Sequence, residues 1–352
     1  MSKNILITGN LGYVGPVVEN YLANDKSLIL YGFDIEWFKT DLTSKTDFTS
    51  CVKKQTFKDI RSIDSNDLEG IDTIVHLAAV SNDPMGNDFE QATYDINLDA
   101  GIKLAKLAKN SGVKNFIFAS SCSVYGAGGN SAKKEDDRVN PLTAYAISKV
   151  KFEEELKIIC EDGQMIGTAL RFSTACGPSS RVRLDLVLND FVASAIENKR
   201  IDILSDGSPF RPLIDTRDMA RAIYWAINRS DKKNLVNFIS VNIGMDKNNM
   251  SVKEIANCVK NIFPEVNLSI NKNASPDKRS YKVNFDFFKK IAPSFQPLFS
   301  IQESAKDLAD YFLLNEVNLK NFRAELYIRH NKLKRLKEKS LINSDLAWIR
   351  NE

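Results

Sequence analysis

The sequence predicts an α/β fold: a doubly wound parallel (Rossmann) sheet with a smaller α/β substrate-binding domain and a helical C-terminal extension. Three observations carry this expectation. Short β-branched apolar runs alternate with longer segments of helical spacing through the first half of the chain. A G-x-x-G-x-x-G turn, formed by Gly9, Gly12 and Gly15, falls between the first strand and the first helix. An acid, Asp34, ends the second strand, 25 residues after Gly9.

The strand-like runs are residues 5–7, 28–33, 73–77, 116–119 and 167–170, and the helical segments between them are 17–24, 99–111 and 144–160. Strand–helix alternation of this length implies a parallel sheet covered on both faces. Past Gly177 the pattern loosens. A helix at 186–198, a short strand at 201–204, a turn at 205–209 and a helix at 215–228 follow. A further strand is expected at 238–241. The helix at 251–262 opens on Ser251 with Glu254 three residues on, the pattern of a capping box. The tail, 319–349, reads as largely helical with mixed charge. The expected division is 1–171 with about 212–242 as the nucleotide-binding domain, 172–211 with 243–315 as the substrate-binding domain, and 316–352 as the extension.

Composition narrows the function. With 352 residues, 43% of them hydrophobic, the chain is ordinary for a globular enzyme. A net charge of +3 gives no argument for nucleic acid or a membrane surface as partner. The N-terminus runs directly into the first strand with no cleavage pattern, and no apolar stretch is long enough to span a bilayer. Five scattered cysteines suit free thiols, so a cytoplasmic location is expected. Only two histidines, His76 and His330, are present, which argues against a histidine triad and against a metal site.

The glycine turn is read as a dinucleotide cradle. Gly9 allows the tight turn, Gly12 the close approach of backbone to pyrophosphate, and Gly15 the packing of helix on strand. Leu11, Tyr13 and Val14 fill the turn, and the amides of the following helix face the phosphates. Asp34 would accept hydrogen bonds from a ribose 2′-hydroxyl and repel a 2′-phosphate. No arginine stands at 11–14 or directly after Asp34, so NAD is favoured over NADP.

Tyr145 and Lys149 are spaced i, i+4, which puts both on one helix face. A lysine and the positive nicotinamide ring would stabilise a phenolate and make Tyr145 a usable base.

With the glycine turn, these two residues resemble the extended short-chain dehydrogenase/reductase family, specifically its NAD-dependent nucleotide-sugar epimerase/dehydratase group. Further segments match in order. Asp59 and Ile60 resemble the adenine-contacting segment, and Leu77, Ala78 and Ala79 after His76 the strand end beside the cofactor. Asn97 matches the asparagine at the next helix start. The run from Ala119 to Gly126 matches the serine strand, and Leu170-Arg171-Phe172 with Gly177-Pro178 leads toward the substrate. The resemblance implies that Ser121, four residues before Tyr125, hydrogen-bonds the reacting sugar oxygen, with Ser123 as a further substrate contact. It also implies that Arg211 grips the substrate diphosphate. Arg279, beside Lys278, is the second candidate, with Arg183 and Arg181 as others. Thr174 stands where the family usually has asparagine, and Asp215 where it has histidine, so the sugar pocket differs from that of a standard UDP-galactose 4-epimerase.

The resemblance also bears on the reaction. Dehydratases of this group carry a carboxylate directly after the serine. Here Cys122 and Ser123 stand there, and dehydration is not expected. Cys122 and Cys176 read as small buried thiols, and His76 as a hydrogen-bonded core histidine. The expected activity is NAD-dependent epimerisation of a nucleotide-diphosphate sugar, most simply at carbon 4, with Ser121, Tyr145 and Lys149 as catalytic groups. A 4-keto reductase or dehydrogenase using NAD(P)H is the alternative. A non-catalytic NAD-binding protein would not need the three groups intact. A homodimer paired through 99–111 and 144–160 is implied by the same resemblance.

Overall fold

The computed structural model describes residues 2–39, 41–43, 51–127, 129, 131–229, 236–271, 273–274, 280–324 and 327–349. Seven parallel strands form its central sheet: β1 (Lys3–Thr8), β2 (Leu28–Asp34), β3 (Lys54–Phe57), β4 (Thr73–His76), β5 (Asn115–Ser121), β6 (Ile166–Phe172) and β7 (Phe238–Ile243). Their order is β7-β6-β5-β4-β1-β2-β3.

Apolar residues on consecutive positions supply both faces, because side chains alternate across a strand. Leu6, Ile74, Phe116 and Phe118 point into one apolar cluster. Ile5, Ile7, Val75 and Ile117 point into another. Helices α2 (Ala100–Asn110) and α3 (Ala144–Ile159) cover the first face, through Leu104, Ala108, Phe152 and Leu156. Helices α1 (Gly15–Leu22) and α4 (Thr216–Ile227) cover the second, through Val18, Leu22, Ile223 and Ala226.

All five expected first-half strands are present, each within three residues of its expected ends. Strand β3 was not expected. Its sequence, Lys-Gln-Thr-Phe, lacks an apolar run because it is an edge strand with half-exposed positions. The order in which strands are added reverses at β1, which pairs in parallel with β2 on one side and β4 on the other. A crevice opens at the carboxyl ends of strands around such a reversal.

A third apolar cluster lies under the helices Val187–Asn198, Val252–Ile262 and Ile301–Leu314. A three-stranded sheet of Thr174–Cys176, Phe210–Asp215 and Asn249–Ser251 stands beside it. Ser251 and Glu254 form the expected capping box. The helix Ile301–Leu314 has a capping box of its own, Ser300 with Glu303, a signal the sequence reading passed over.

The tail is less helical than expected. Among the described residues past 319 one helix appears, α5 (Arg329–Glu338). Asn321, Ser340 and Leu346 each take a positive φ of 53° to 60°, a conformation that stops an α-helix. Among the described residues no helix is long and apolar enough to cross a membrane, and no acidic, cysteine or histidine group could hold a metal ion.

Candidate active site

A cavity of about 650 Å³ occupies the crevice where β1, β4 and β5 end. Its volume is in the usual range for a small-molecule site. The glycine turn forms its floor. Gly9 has φ +75°, and a Cβ there would stand 2.5 Å from the Ala78 amide nitrogen. A Cβ on Gly15 would meet the Asn10 carbonyl oxygen at 2.0 Å, so helix and loop touch without room for a side chain. At Gly12 a Cβ would meet a single atom, the Gly9 oxygen at 3.2 Å. Its backbone is thus open to a close-approaching group, as a pyrophosphate requires.

Asp34 borders the same cavity. Its carboxylate accepts from the backbone N–H of Glu36 at 2.7 Å and of Leu11 at 3.1 Å. Burial raises its pKa, against those hydrogen bonds. The fixed carboxylate fits the ribose of NAD, and the one arginine that acts on it, Arg181, comes from a distant segment of the chain. Asp59 and Ile60 line the wall beyond it, with Leu77, Ala78 and Ala79 opposite. Asp59 is ion-paired with Arg61 at 2.5 Å.

Two residues assigned to the cofactor stand behind the wall. Leu11 is buried and reaches Asp34 through its backbone. Asn97 is buried and brackets Val80, accepting from its N–H at 2.8 Å and donating to its carbonyl at 3.0 Å. It therefore positions the segment after β4 and is not itself in the cavity wall.

Ser121, Tyr145 and Lys149 meet at the cavity. Ser121 ends β5, and its Oγ accepts from the Ser123 N–H at 3.1 Å. Thr143 caps α3, which fixes Tyr145 in the first turn and Lys149 in the second. Burial pushes the Tyr145 phenol up to about 12, and the neighbouring Ser121 hydroxyl offsets part of that rise. Lys149 Nζ donates to the Ala119 carbonyl at 2.8 Å and lies 5.6 Å from the Tyr145 ring centre. Burial lowers its pKa to about 7.

Behind Lys149 a buried ion pair joins α3 to β6. Glu153 receives Arg171 in a bidentate fork, with contacts down to 2.7 Å. Ser120 and Ser240 also donate to Glu153. The Arg171 fork donates further to the Tyr125 hydroxyl at 3.0 Å.

His76 fills the core position expected of it. It is buried, bonded through Nδ1 to Thr8 Oγ1 at 2.8 Å and stacked on Phe118, and burial lowers its pKa to about 3. Cys122 and Cys176 are fully buried, their thiols donating to backbone carbonyls, and burial raises both pKa values.

On the substrate side, Ser123, Thr174, Arg183 and Arg211 all border the cavity. Arg279 and Lys278 lie outside the described residues. Arg183 forks onto Asp185 with two 2.9 Å contacts and donates to Ser81 at 2.9 Å. The sequence reading missed Asp83, Asp185 and Tyr281, which also line this side. Asp83 accepts from the Thr143 hydroxyl at 2.7 Å, and Asp185 from the Asn82 amide at 2.8 Å. No carboxylate stands directly after Ser121 in sequence, yet folding brings Asp83 near Tyr145. No motif links these loops, so spacing could not reveal them.

Residues 5–244 match the model of the NAD dependent epimerase/dehydratase family. A UDP-glucuronate 4-epimerase of Thermodesulfobacterium geofontis is 26% identical over 269 residues, 73% of this chain and 80% of that one. The structure of UDP-glucuronic acid 4-epimerase from Bacillus cereus, in complex with UDP-glucuronic acid and NAD, is similar with TM-score 0.76 and 23% identity, over 88% of this chain and 99% of that chain. A UDP-N-acetylglucosamine 4-epimerase from Methanobrevibacter ruminantium M1 is also similar, with TM-score 0.76 and 22% identity over 89% and 99%. Proteins named as sugar dehydratases match as well.

Proposed function

The chain belongs to the NAD dependent epimerase/dehydratase family, and from that premise we propose that it inverts carbon 4 of a UDP-sugar. The observation that carries the reading is the meeting of Ser121, Tyr145 and Lys149 with the glycine turn in one cavity. Bound NAD would take a hydride from the sugar carbon and return it. The chain's own groups handle the proton. Tyr145 removes it from the sugar hydroxyl and later restores it, and Ser121 holds the reacting oxygen. Lys149 lowers the cost of the phenolate, since an adjacent cation favours the charged form.

The substrate diphosphate is assigned to Arg211, with Arg183 nearer the sugar. Arg183 is already matched by Asp185, so this pair offers fixed hydrogen bonds more than net charge. Asp34 supports NAD over NADP and so supports an epimerase over a reductase consuming NADPH. Residues 1–171 with about 212–242 are proposed as the NAD-binding domain and 172–211 with 243–315 as the substrate-binding domain, with 316–352 as the extension. Five free cysteines support a cytoplasmic location. A homodimer paired through α2 and α3 is part of the reading; sedimentation as a monomer contradicts it.

The test is incubation of the purified protein with a panel of UDP-hexoses and UDP-hexuronates. The expected result is interconversion of one 4-epimer pair with no net change in nicotinamide absorbance. Net NADH formation or consumption with a sugar nucleotide supports the dehydrogenase or reductase alternative instead.

A further inference from the structure

Past residue 326 the chain returns to the cavity. Ile328, Arg329 and His330 form part of its wall, near the loop that follows β2. The segment is fastened on both sides of the crevice. On the side of Asp34 and Asp59, Arg329 pairs with Asp41 at 2.7 Å, both side chains being buried. Its guanidinium lies 4.1 Å from the Phe38 ring centre, and Lys332 adds a second pair to Asp41 at 3.0 Å. The Trp348 indole donates to the Ile35 carbonyl at 2.5 Å, and the Trp37 indole to the Leu346 carbonyl at 3.1 Å. Arg61, the partner of Asp59, donates to the Asp345 carbonyl at 2.7 Å.

On the other side, His330 and Lys334 reach Asp88 at 2.8 and 2.7 Å. The Leu184 N–H, one residue past Arg183, donates to the Tyr327 carbonyl at 2.9 Å. Leu333, Leu336, Ile342 and Leu346 are buried in the apolar cluster of the central sheet. The segment is thus held by core packing as well as by polar contacts. The loop after β2 is tied across the same crevice, the Thr43 N–H donating to the Ser180 carbonyl at 2.7 Å.

We infer that residues 327–349 are a strap closing the dinucleotide half of the cavity, so that bound NAD is released only when the strap undocks. The inference rests on the NAD-dependent epimerase reading and deepens it. An epimerase returns the hydride within one binding event and gains from a cofactor that stays. A reductase must exchange its cofactor at every turnover, and a strap would slow it.

The test is exchange of bound NAD for isotopically heavy NAD, followed by native mass spectrometry of the full-length protein. Arg329→Ala removes the central fastening, and the expected result is exchange about tenfold faster than in the unmodified protein. Because Arg329→Ala leaves Asp41 buried beside a gap, a second variant carries the test independently. Trp348→Ala with Lys334→Ala cuts two fastenings made by partly exposed side chains, and is expected to speed exchange about threefold with an unchanged Tm. Equal exchange rates in the unmodified protein and the folded variants overturn the strap while leaving the epimerase reading standing. Failure of the unmodified protein to bind NAD at all overturns that reading, and the strap with it.

Discussion

Replacing Tyr145 by Phe is expected to lower kcat about a thousandfold while leaving Tm and NAD content unchanged. The substitution removes one oxygen and the proton it carries, and a positioned acid–base group is worth about 10²–10⁴ in rate. The packing of α3 against the sheet is untouched, since Phe152 and Leu156 make those contacts. The pH profile gives the same group a signature. Tyr145 acts as base only when ionised, so kcat rises with pH on its acid limb. Burial holds the phenol up to about 12 and Lys149 down to about 7. A bound nicotinamide would supply a positive charge that favours the ionised phenol, and a phenolate in turn favours the charged lysine. Lys149→Met therefore moves the rising limb to higher pH. A profile that stays in place separates Lys149 from the phenol and contradicts its role.

Replacing Arg171 by Met is expected to cost about 3–5 kcal/mol of stability, read as a lower midpoint in denaturant unfolding. The loss comes from what remains. Glu153 is left buried with its charge and two serine donors but without its directly paired cation, and breaking one side of a buried pair costs about that much. The double replacement Arg171→Met with Glu153→Leu should recover part of it, because an apolar pair carries no stranded charge. Equal stability of Arg171→Met and the unmodified protein would show that the network carries little of the load between α3 and β6.

The central sheet was legible because its strands are buried on both faces and read as continuous apolar runs. Strand β3 was not, since an edge position is satisfied by Lys-Gln-Thr-Phe as well as by apolar residues. The cofactor half of the site was legible because Gly9, Gly12, Gly15 and Asp34 lie within one strand–helix–strand unit. Tyr145 and Lys149 were legible for the same reason, one helical turn apart. The substrate half was partly hidden. Asp83, Asp185 and Tyr281 come from loops far apart in sequence that meet only on folding. The strap was hidden most of all. Arg329 and Trp348 act on Asp41 and Ile35, about 300 residues away, and no periodicity records such a contact. Asn97 adds a contact that its position in the chain did not announce: its side chain holds the backbone of Val80.

The central claim is that one hydride leaves carbon 4 of a UDP-sugar and returns to it, with Tyr145 moving only the hydroxyl proton. The most direct measurement is the turnover of a substrate UDP-sugar in heavy water, followed by NMR of the sugar carbons. The expected product is a 4-epimer whose carbon-bound hydrogens are all retained, since the hydride never mixes with solvent and the hydroxyl proton is not fixed to carbon. Deuterium on carbon 3, 5 or 6 of the product, or loss of water from the sugar, would contradict it.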